Sequence, residues 1–416
     1  MVRGLDRDTM LSALRVKRSD IVYRHMRDPA LLRYYYKVKT VASISSLSLA
    51  GSSPTDLFIG RFGYPKVSIG PLVPPEFGDT SMMATPERWW NSSIEDIVGF
   101  RSKLVRGMQL SNVHDVERGR IQEQVRDLAL AERPADADLD LVGKPFVKME
   151  FNDEVQPYGP SARIRSFDVH NFKADRKIEG LYFDTDAKAS TALIELYREG
   201  INVSKLQRAL SAGLFGLKGN RKFVPTRWSI TAVDDTLGKN NLRDVKGNGT
   251  IDSIYAYYNV ALDNRWLIFF IPGSWEYESI EAFFPGTVWN EDGRNVSIFG
   301  SYEGYRGRKT YAEIGGCYYA AKLAVTEKLL KLNGQARVLI LREAHPGYVM
   351  PVGVWNVREH VRETLQTQPT VLHSTADMFK FIQAKMVISP QQWQENSVLL
   401  RRLVSQKGIM EYVATN

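Results

Sequence analysis

The sequence predicts an α+β fold, with a larger β-rich N-terminal domain and a smaller helix-rich C-terminal domain. Three observations carry that expectation. At 416 residues the chain exceeds one ordinary domain, and two or three are expected. The stretch 253–289 is aromatic and β-branched, with turn signals at Asp263-Asn264 and Pro272-Gly273, which is strand and hairpin chemistry. In YAEIGGCYYAAKLAVTEKLLKLNG (311–334), Ile314, Tyr318, Ala321, Val325, Leu329 and Leu332 recur at three- and four-residue steps, which is helical periodicity. Gly334 stands where a left-handed cap ends such a helix.

Residues 1–40 read as a basic, partly helical arm. SISSLSLAGSSPTD follows and, being small and polar, reads as a flexible loop. FIGRFGYPKVSIGPLVPP (58–75) reads as short strands joined by Gly/Pro-fixed turns. VERGRIQEQVRDLALAE (116–132) has helical spacing, and ERPADADLDLVGKP breaks it. PFVKMEF (145–151) alternates as a strand, and 186–216 holds one or two helices. FVPTRWSITAVDD (223–235) reads as a strand ending in two acids. ARVLILREA (336–344) reads as a buried strand. A last helix starts at Ser389-Pro390, where Ser389 caps, Pro390 suits the first helical position and Gln392 completes a capping box; it runs to Ser405. These boundaries give an arm (1–40), an N-terminal domain (41–290), a C-terminal domain (300–404) and a tail (405–416), with the junction near 290–305.

Composition narrows the function classes. The formal charge is +8, and residues 1–40 hold ten Lys/Arg against four Asp. Such a balance favours contact with a polyanion, most often nucleic acid. No run of eighteen apolar residues occurs, so no transmembrane helix is expected, and MVRGLDRDTMLSALRVKRSD contains no apolar h-region of a secretory signal; a cytoplasmic protein without membrane contact is expected. One cysteine, Cys317, rules out an internal disulfide and a single-chain Cys₄ or Cys₂His₂ zinc site.

Several stretches offer chemistry. GRFGYPKV places Arg61 and Lys66 on a stiffened loop whose amides and cations suit a phosphate, and GLFGLKGNRK does the same with Arg221 and Lys222. Asp234 and Asp235 end the expected 223–235 strand. Carboxylates so placed can contribute to a magnesium site for phosphodiester chemistry, with Arg227 beside them, although neighbours on a strand point to opposite faces. In REAHPGY (342–348), Glu343 and His345 suit acid, base or ligand roles. Asp184 and Asp186 form a further carboxylate pair. Each stretch alone also fits an ordinary turn or ion pair.

Taken together, FIGRFGYPKVSIGPLVPP, KFVPTRWSITAVDD and EIGGCYYAAKLAVTEKLL with ARVLILREAHPGYVMPVGVWNVRE resemble the Nre family of archaeal DNA repair proteins, in the family's order and from about residue 45 onward. The resemblance implies a domain boundary near 290 and a role in DNA damage repair. For many members it also implies docking on the PCNA sliding clamp through a C-terminal motif. In SQKGIMEYVATN, Gln406, Ile409 and Tyr412 match the Gln-x-x-aliphatic-x-x-aromatic pattern of clamp-binding tails, and Val413 takes the position of a second ring. Residues three apart align on one side of a 3₁₀ turn, and burying two apolar plugs is worth roughly 3–5 kcal/mol before the ordering cost. Some members carry an N-terminal cysteine cluster suggesting a zinc finger, and this chain cannot build one. Two readings remain: an adaptor that brings DNA, the clamp and a repair nuclease together, or a metal-dependent nuclease or nucleotide-processing enzyme using Asp234 or Asp235 with Arg227, Glu343 or His345.

Overall fold

The computed structural model describes residues 46–146, 156–287, 289–290, 293–348 and 351–405. The N-terminal arm and the 406–416 tail lie outside them, as does most of the strand expected at 145–151, of which Phe146 bridges Ser161.

The fold is α+β, built on two six-stranded sheets. The first holds β1 (Ser48–Ser53), β2 (Leu57–Ile59), β3 (Lys66–Val73), β4 (Val105–Asn112), β5 (Ala135–Leu141) and β6 (Ser161–His170) in the order β1-β5-β6-β4-β3-β2. Only the β4/β6 pair is parallel within it. Helices α1 (Ile94–Arg101) and α2 (Arg120–Leu130) connect its strands. Four more follow: α3 (Arg176–Phe183), α4 (Ala189–Arg198), α5 (Val203–Ser211) and α6 (Thr226–Gly247). Leu128 of α2, Leu193 of α4 and Leu206 of α5 share one core with Val67, Leu139 and Phe167 of the sheet.

The stretch expected to be a flexible loop contains β1. Its small residues serve close packing: a Cβ on Gly51 would lie 2.0 Å from the Pro74 carbonyl oxygen. Ser53 Oγ donates to the Leu72 carbonyl at 2.7 Å, and Ser52 Oγ to Asp136 at 2.6 Å. The helix break at 132–145 proves to carry β5, in which Ala135, Ala137, Leu139 and Leu141 are buried and alternate with aspartates, the period of two of a half-buried strand.

The second sheet holds β7 (Ile254–Ala261), β8 (Asn264–Ile271), β9 (Glu276–Phe283), β10 (Ser297–Glu303), β11 (Arg337–Ala344) and β12 (Thr370–Leu372), ordered β10-β9-β11-β8-β7-β12. The sequence junction near 290–305 falls between β9 and β10, which pair antiparallel from Ser297↔Phe283 to Glu303↔Tyr277. Strands from both sides of the junction therefore share one sheet. Helix α7 (Gly316–Lys331) crosses from β10 to β11, and α8 (Trp355–Thr364), α9 (Thr375–Lys385), α10 (Pro390–Asn396) and α11 (Val398–Ser405) complete the chain.

This sheet is covered on both faces. Val338 and Ile340 of β11 face a core with Val325 of α7 and Val361 of α8. Leu339 and Leu341 face another with Ile382 of α9, Trp393 of α10 and Leu400 of α11. Two-sided burial explains the continuous apolar runs WLIFFI in β8 and VLIL in β11. The final helix is two helices broken at Ser397. There the buried Glu278 carboxylate accepts from Ser397 Oγ (2.6 Å), Val398 N (2.7 Å) and Leu399 N (2.9 Å), satisfying amides that start α11. At Ser389, Oγ accepts from Gln392 N.

Helix α6 is the hinge of the architecture. Val233 and Leu237 belong to the first core, and Leu242 and Val245 to the second. The sequence 223–235 was expected to be a strand because its β-branched residues favour one. Extended past 235, however, Ile230, Val233, Leu237, Asn241 and Val245 are buried at three- and four-residue steps, and this longer helical register wins. Among the described residues, no helix is long and apolar enough to cross a membrane.

Candidate nucleic-acid interface

The opposite face of α6 builds a groove of about 790 Å³, closed on its far side by the segment 303–311 and by α7. Arg227, Thr231, Asp235, Lys239 and Arg243 line it at four-residue intervals, because side chains four apart stack along one helix face. Ile59 N donates to Thr226 Oγ1 at 2.9 Å, tying the start of α6 to β2, and Arg61 of the following turn also lines the groove. From the far side come Arg306, Arg308, Lys309 and Tyr311.

The charge of this lining is strongly positive: nine Lys/Arg against Asp235 and Glu303. Both acids are already neutralised. Lys239 holds Asp235 at 2.6 Å, and the buried Lys322 holds Glu303 at 2.6 Å, with Trp275 Nε1 donating to the same carboxylate oxygen at 3.0 Å. Arg308 fixes the far wall. Its guanidinium donates to the Tyr302 carbonyl at 2.8 Å and to both Glu313 oxygens, and these hydrogen bonds hold the Glu313 carboxyl down to about 2. Burial lowers the Lys246 ammonium. Arg61, Arg243, Arg306 and Lys309 are exposed and make no ion pair among the described residues.

Aromatic rings accompany these cations. Trp228 is 45% exposed and Tyr311 57%; the Trp228 ring stands 5.2 Å from Tyr64, and Tyr311 stands 5.4 Å from Tyr319. Lys246 lies 4.6 Å over the Tyr305 ring. Cations that can follow a backbone, beside rings on which bases can stack, are the ingredients of a nucleic-acid groove.

The structure separates the residues singled out from sequence. Arg61, Arg227 and Asp235 meet in the groove. Asp234 lies on the other side of α6, fully buried, its two oxygens 2.9 and 3.0 Å from Arg358 Nη1 and one of them 3.3 Å from Gln207. Burial outweighs the guanidinium and pushes its carboxyl up to about 6. The two aspartates therefore form no joint site. Glu343 is buried in β11 and accepts from Val387 N (2.9 Å) and Ile388 N (2.8 Å), bracing the end of α9. His345 Nε2 sits 3.2 Å from it while the ring stacks on Phe284 at 4.3 Å. Neither lines the groove.

Lys66 opens β3, exposed and outside the groove lining. Arg221 spends its guanidinium on the carbonyls of Gly216 (2.8 Å), Tyr182 (2.6 Å) and Asp184 (2.9 Å), so it clamps a turn; Lys222 is exposed beside it. Asp184 accepts from the amides of Asp186 and Ala187 at 3.0 Å, an Asx turn. Among the described residues, no three His, Cys, Asp or Glu side chains gather as metal ligands. Sequence reasoning missed Trp228, Arg243, Arg306, Lys309 and Tyr311. SYEGYRGRKTY (301–311), rich in Arg, Tyr and Gly, was the available signal.

Comparison with known proteins places the whole chain in a family. The profile described as archaeal Nre, N-terminal, matches residues 25–290, and that described as archaeal Nre, C-terminal, matches 303–412. The DNA repair protein NreB of Archaeoglobus fulgidus is 38% identical over 355 residues, covering 85% of this chain and 89% of the relative. The DNA repair protein NreA of Haloferax volcanii is 35% identical over 353 residues, with 82% and 84% covered. NreA of Archaeoglobus fulgidus is 34% identical over 331 residues, with 78% and 82% covered. No solved structure matches.

Proposed function

This chain belongs to the archaeal Nre family, and we propose that it is a DNA repair factor that binds DNA in the α6 groove and docks on the PCNA sliding clamp through residues 406–413. The observation that carries the first half is the groove itself. Four exposed cations without ion pairs among the described residues stand on both walls, with exposed rings among them. Of the two adjacent carboxylates, the one in the groove is held by Lys239, so the groove supports binding in the first place, as an adaptor requires.

Fluorescence anisotropy of a labelled single-stranded oligonucleotide across a salt series tests it. Neutralising phosphates with Arg61, Arg243, Arg306 and Lys309 predicts a log–log slope of about −3. Binding that ignores salt, or no binding at low salt, sinks the groove reading.

The second half rests on the spacing of Gln406, Ile409, Tyr412 and Val413 and on the anchor that precedes them. Glu278 and the core residues Leu399 and Leu400 fix α11 to the second sheet, so the tail departs from a held point. Calorimetric titration of PCNA should show heat with the intact chain and none with a chain stopped after Ser405. Equal heats from both place the clamp contact elsewhere.

A further inference from the structure

Beside the groove opens a second cavity of about 240 Å³, and Arg227 lines both. Its walls are aromatic: Phe283, Trp289, Phe299 and Tyr348. Trp289 lies parallel to Tyr348 at 5.6 Å, with 10° between the planes, and 4.8 Å from Phe283. Its interior carries polar edges. The Arg342 guanidinium is held by Glu281 at 2.6 Å and Asn264 at 2.9 Å. Asn356, 1% exposed, lines the same cavity; its Nδ2 meets the Tyr348 hydroxyl at 3.3 Å, while its carboxamide oxygen has no hydrogen-bond partner among the described residues. Gly315, Gly316 and Cys317 form one side, at the start of the sixteen-residue α7, where no side chain caps the helix amides.

We infer that this cavity receives one unstacked nucleobase from DNA lying in the groove. The inference rests on the groove reading, since the groove is what would deliver the base. Size selects the ligand class: the volume falls below the ~300–1,000 Å³ typical of drug-sized ligands and suits one ring system. Shape and chemistry agree. Flat rings on the walls match the π-faces of a base, and a buried carboxamide with an ion-paired guanidinium and carboxylate offers hydrogen bonds to its edge, the combination by which extruded bases are held. Exposed Phe299 and Glu313 stand at the cavity, Glu313 being the residue that Arg308 of the groove wall grips.

The test uses the full chain and a duplex carrying one 2-aminopurine opposite an abasic position. Affinity is read by anisotropy and base burial by acrylamide quenching of the 2-aminopurine emission. At saturation the quenching slope should fall by about twofold or more relative to free DNA, since a pocketed base is shielded. Cys317→Trp, which puts an indole into the cavity, should keep its affinity for fully paired DNA and return the slope to at least the free value. Phe299→Ala, a change at an exposed position, should raise the slope part-way even if the first variant does not fold by circular dichroism. An unchanged slope with DNA bound overturns the cavity assignment and leaves the groove intact. Equal shielding in wild type and folded Cys317→Trp also overturns it, placing the base elsewhere. Absence of all DNA binding removes groove and cavity together.

Discussion

Replacing Arg358 with methionine should lower the free energy of unfolding at neutral pH by about 3–5 kcal/mol, the usual cost of leaving buried charge without its partner. Arg358 is the centre of a network joining four helices. Its Nη1 bridges both oxygens of Asp234 on α6, and its Nε reaches Glu359 at 3.0 Å. Arg362 links Glu359 onward to Glu327 of α7 at 2.6 Å, and Gln207 of α5 completes the shell around Asp234. Without the guanidinium, two buried carboxylates would face each other. The pH dependence has a definite sign. Burial already raises the Asp234 carboxyl from 3.8 to about 6, and burial raises Glu359 too. A group whose folded pKa exceeds its unfolded value stabilises most below the unfolded pKa and loses that contribution as pH rises through the folded pKa. The wild type should thus lose some stability from Asp234 between about pH 4 and 6, with Glu359 acting in the same direction. In Arg358→Met the loss should be larger and extend above 6, because the guanidinium no longer pulls the carboxyls down. Urea unfolding across this range checks it: the variant should recover part of its deficit near about pH 5, and adding Asp234→Asn should recover part of it at neutral pH. A deficit independent of pH would mean that lost packing, not stranded charge, sets the cost.

The same residues show what the sequence could and could not disclose. Strands β8, β9 and β11 and helix α7 were legible because each is long and its apolar pattern is set by a core on one or both faces. Segment 226–235 was misread because ten residues of β-branched and aromatic character cannot distinguish strand from helix; the answer came from Leu237, Asn241 and Val245 further on. β1 was missed because Ser and Gly there serve close backbone approach, which composition alone cannot tell from flexibility. The candidate site failed for a related reason. Asp234 and Asp235 drew attention as neighbours in sequence, yet on a helix they stand about 100° apart, one inside and one out. The groove unites Arg61, α6 and residues 303–311, three segments separated by more than 160 and about 60 residues, and only the tertiary fold brings them together.

Charge reversal on both walls of that groove should weaken DNA binding far more than any loss of fold. Arg243 stands on α6 and Lys309 on the facing segment, both exposed and without ion pairs among the described residues. Surface changes of this kind typically move stability within about 0.5 kcal/mol. Arg243→Glu with Lys309→Glu should therefore melt with the wild type while losing affinity on the order of a hundredfold at low salt, and the single-strand salt slope should shrink from about −3 to about −1.5, roughly 0.7 for each phosphate contact removed. Trp228→Ala should behave differently. Its ring contributes stacking rather than charge, so affinity should fall by about 1–3 kcal/mol with the slope unchanged. Measured side by side in anisotropy salt series, the variants divide the groove into a part that follows the backbone and a part that holds bases. A groove serving only to attract polyanions would show the charge effect alone, with Trp228→Ala silent. A ring effect on single strands that disappears on fully paired duplex would show that unstacked bases are what the rings receive, since a paired and stacked base presents no free face to Trp228.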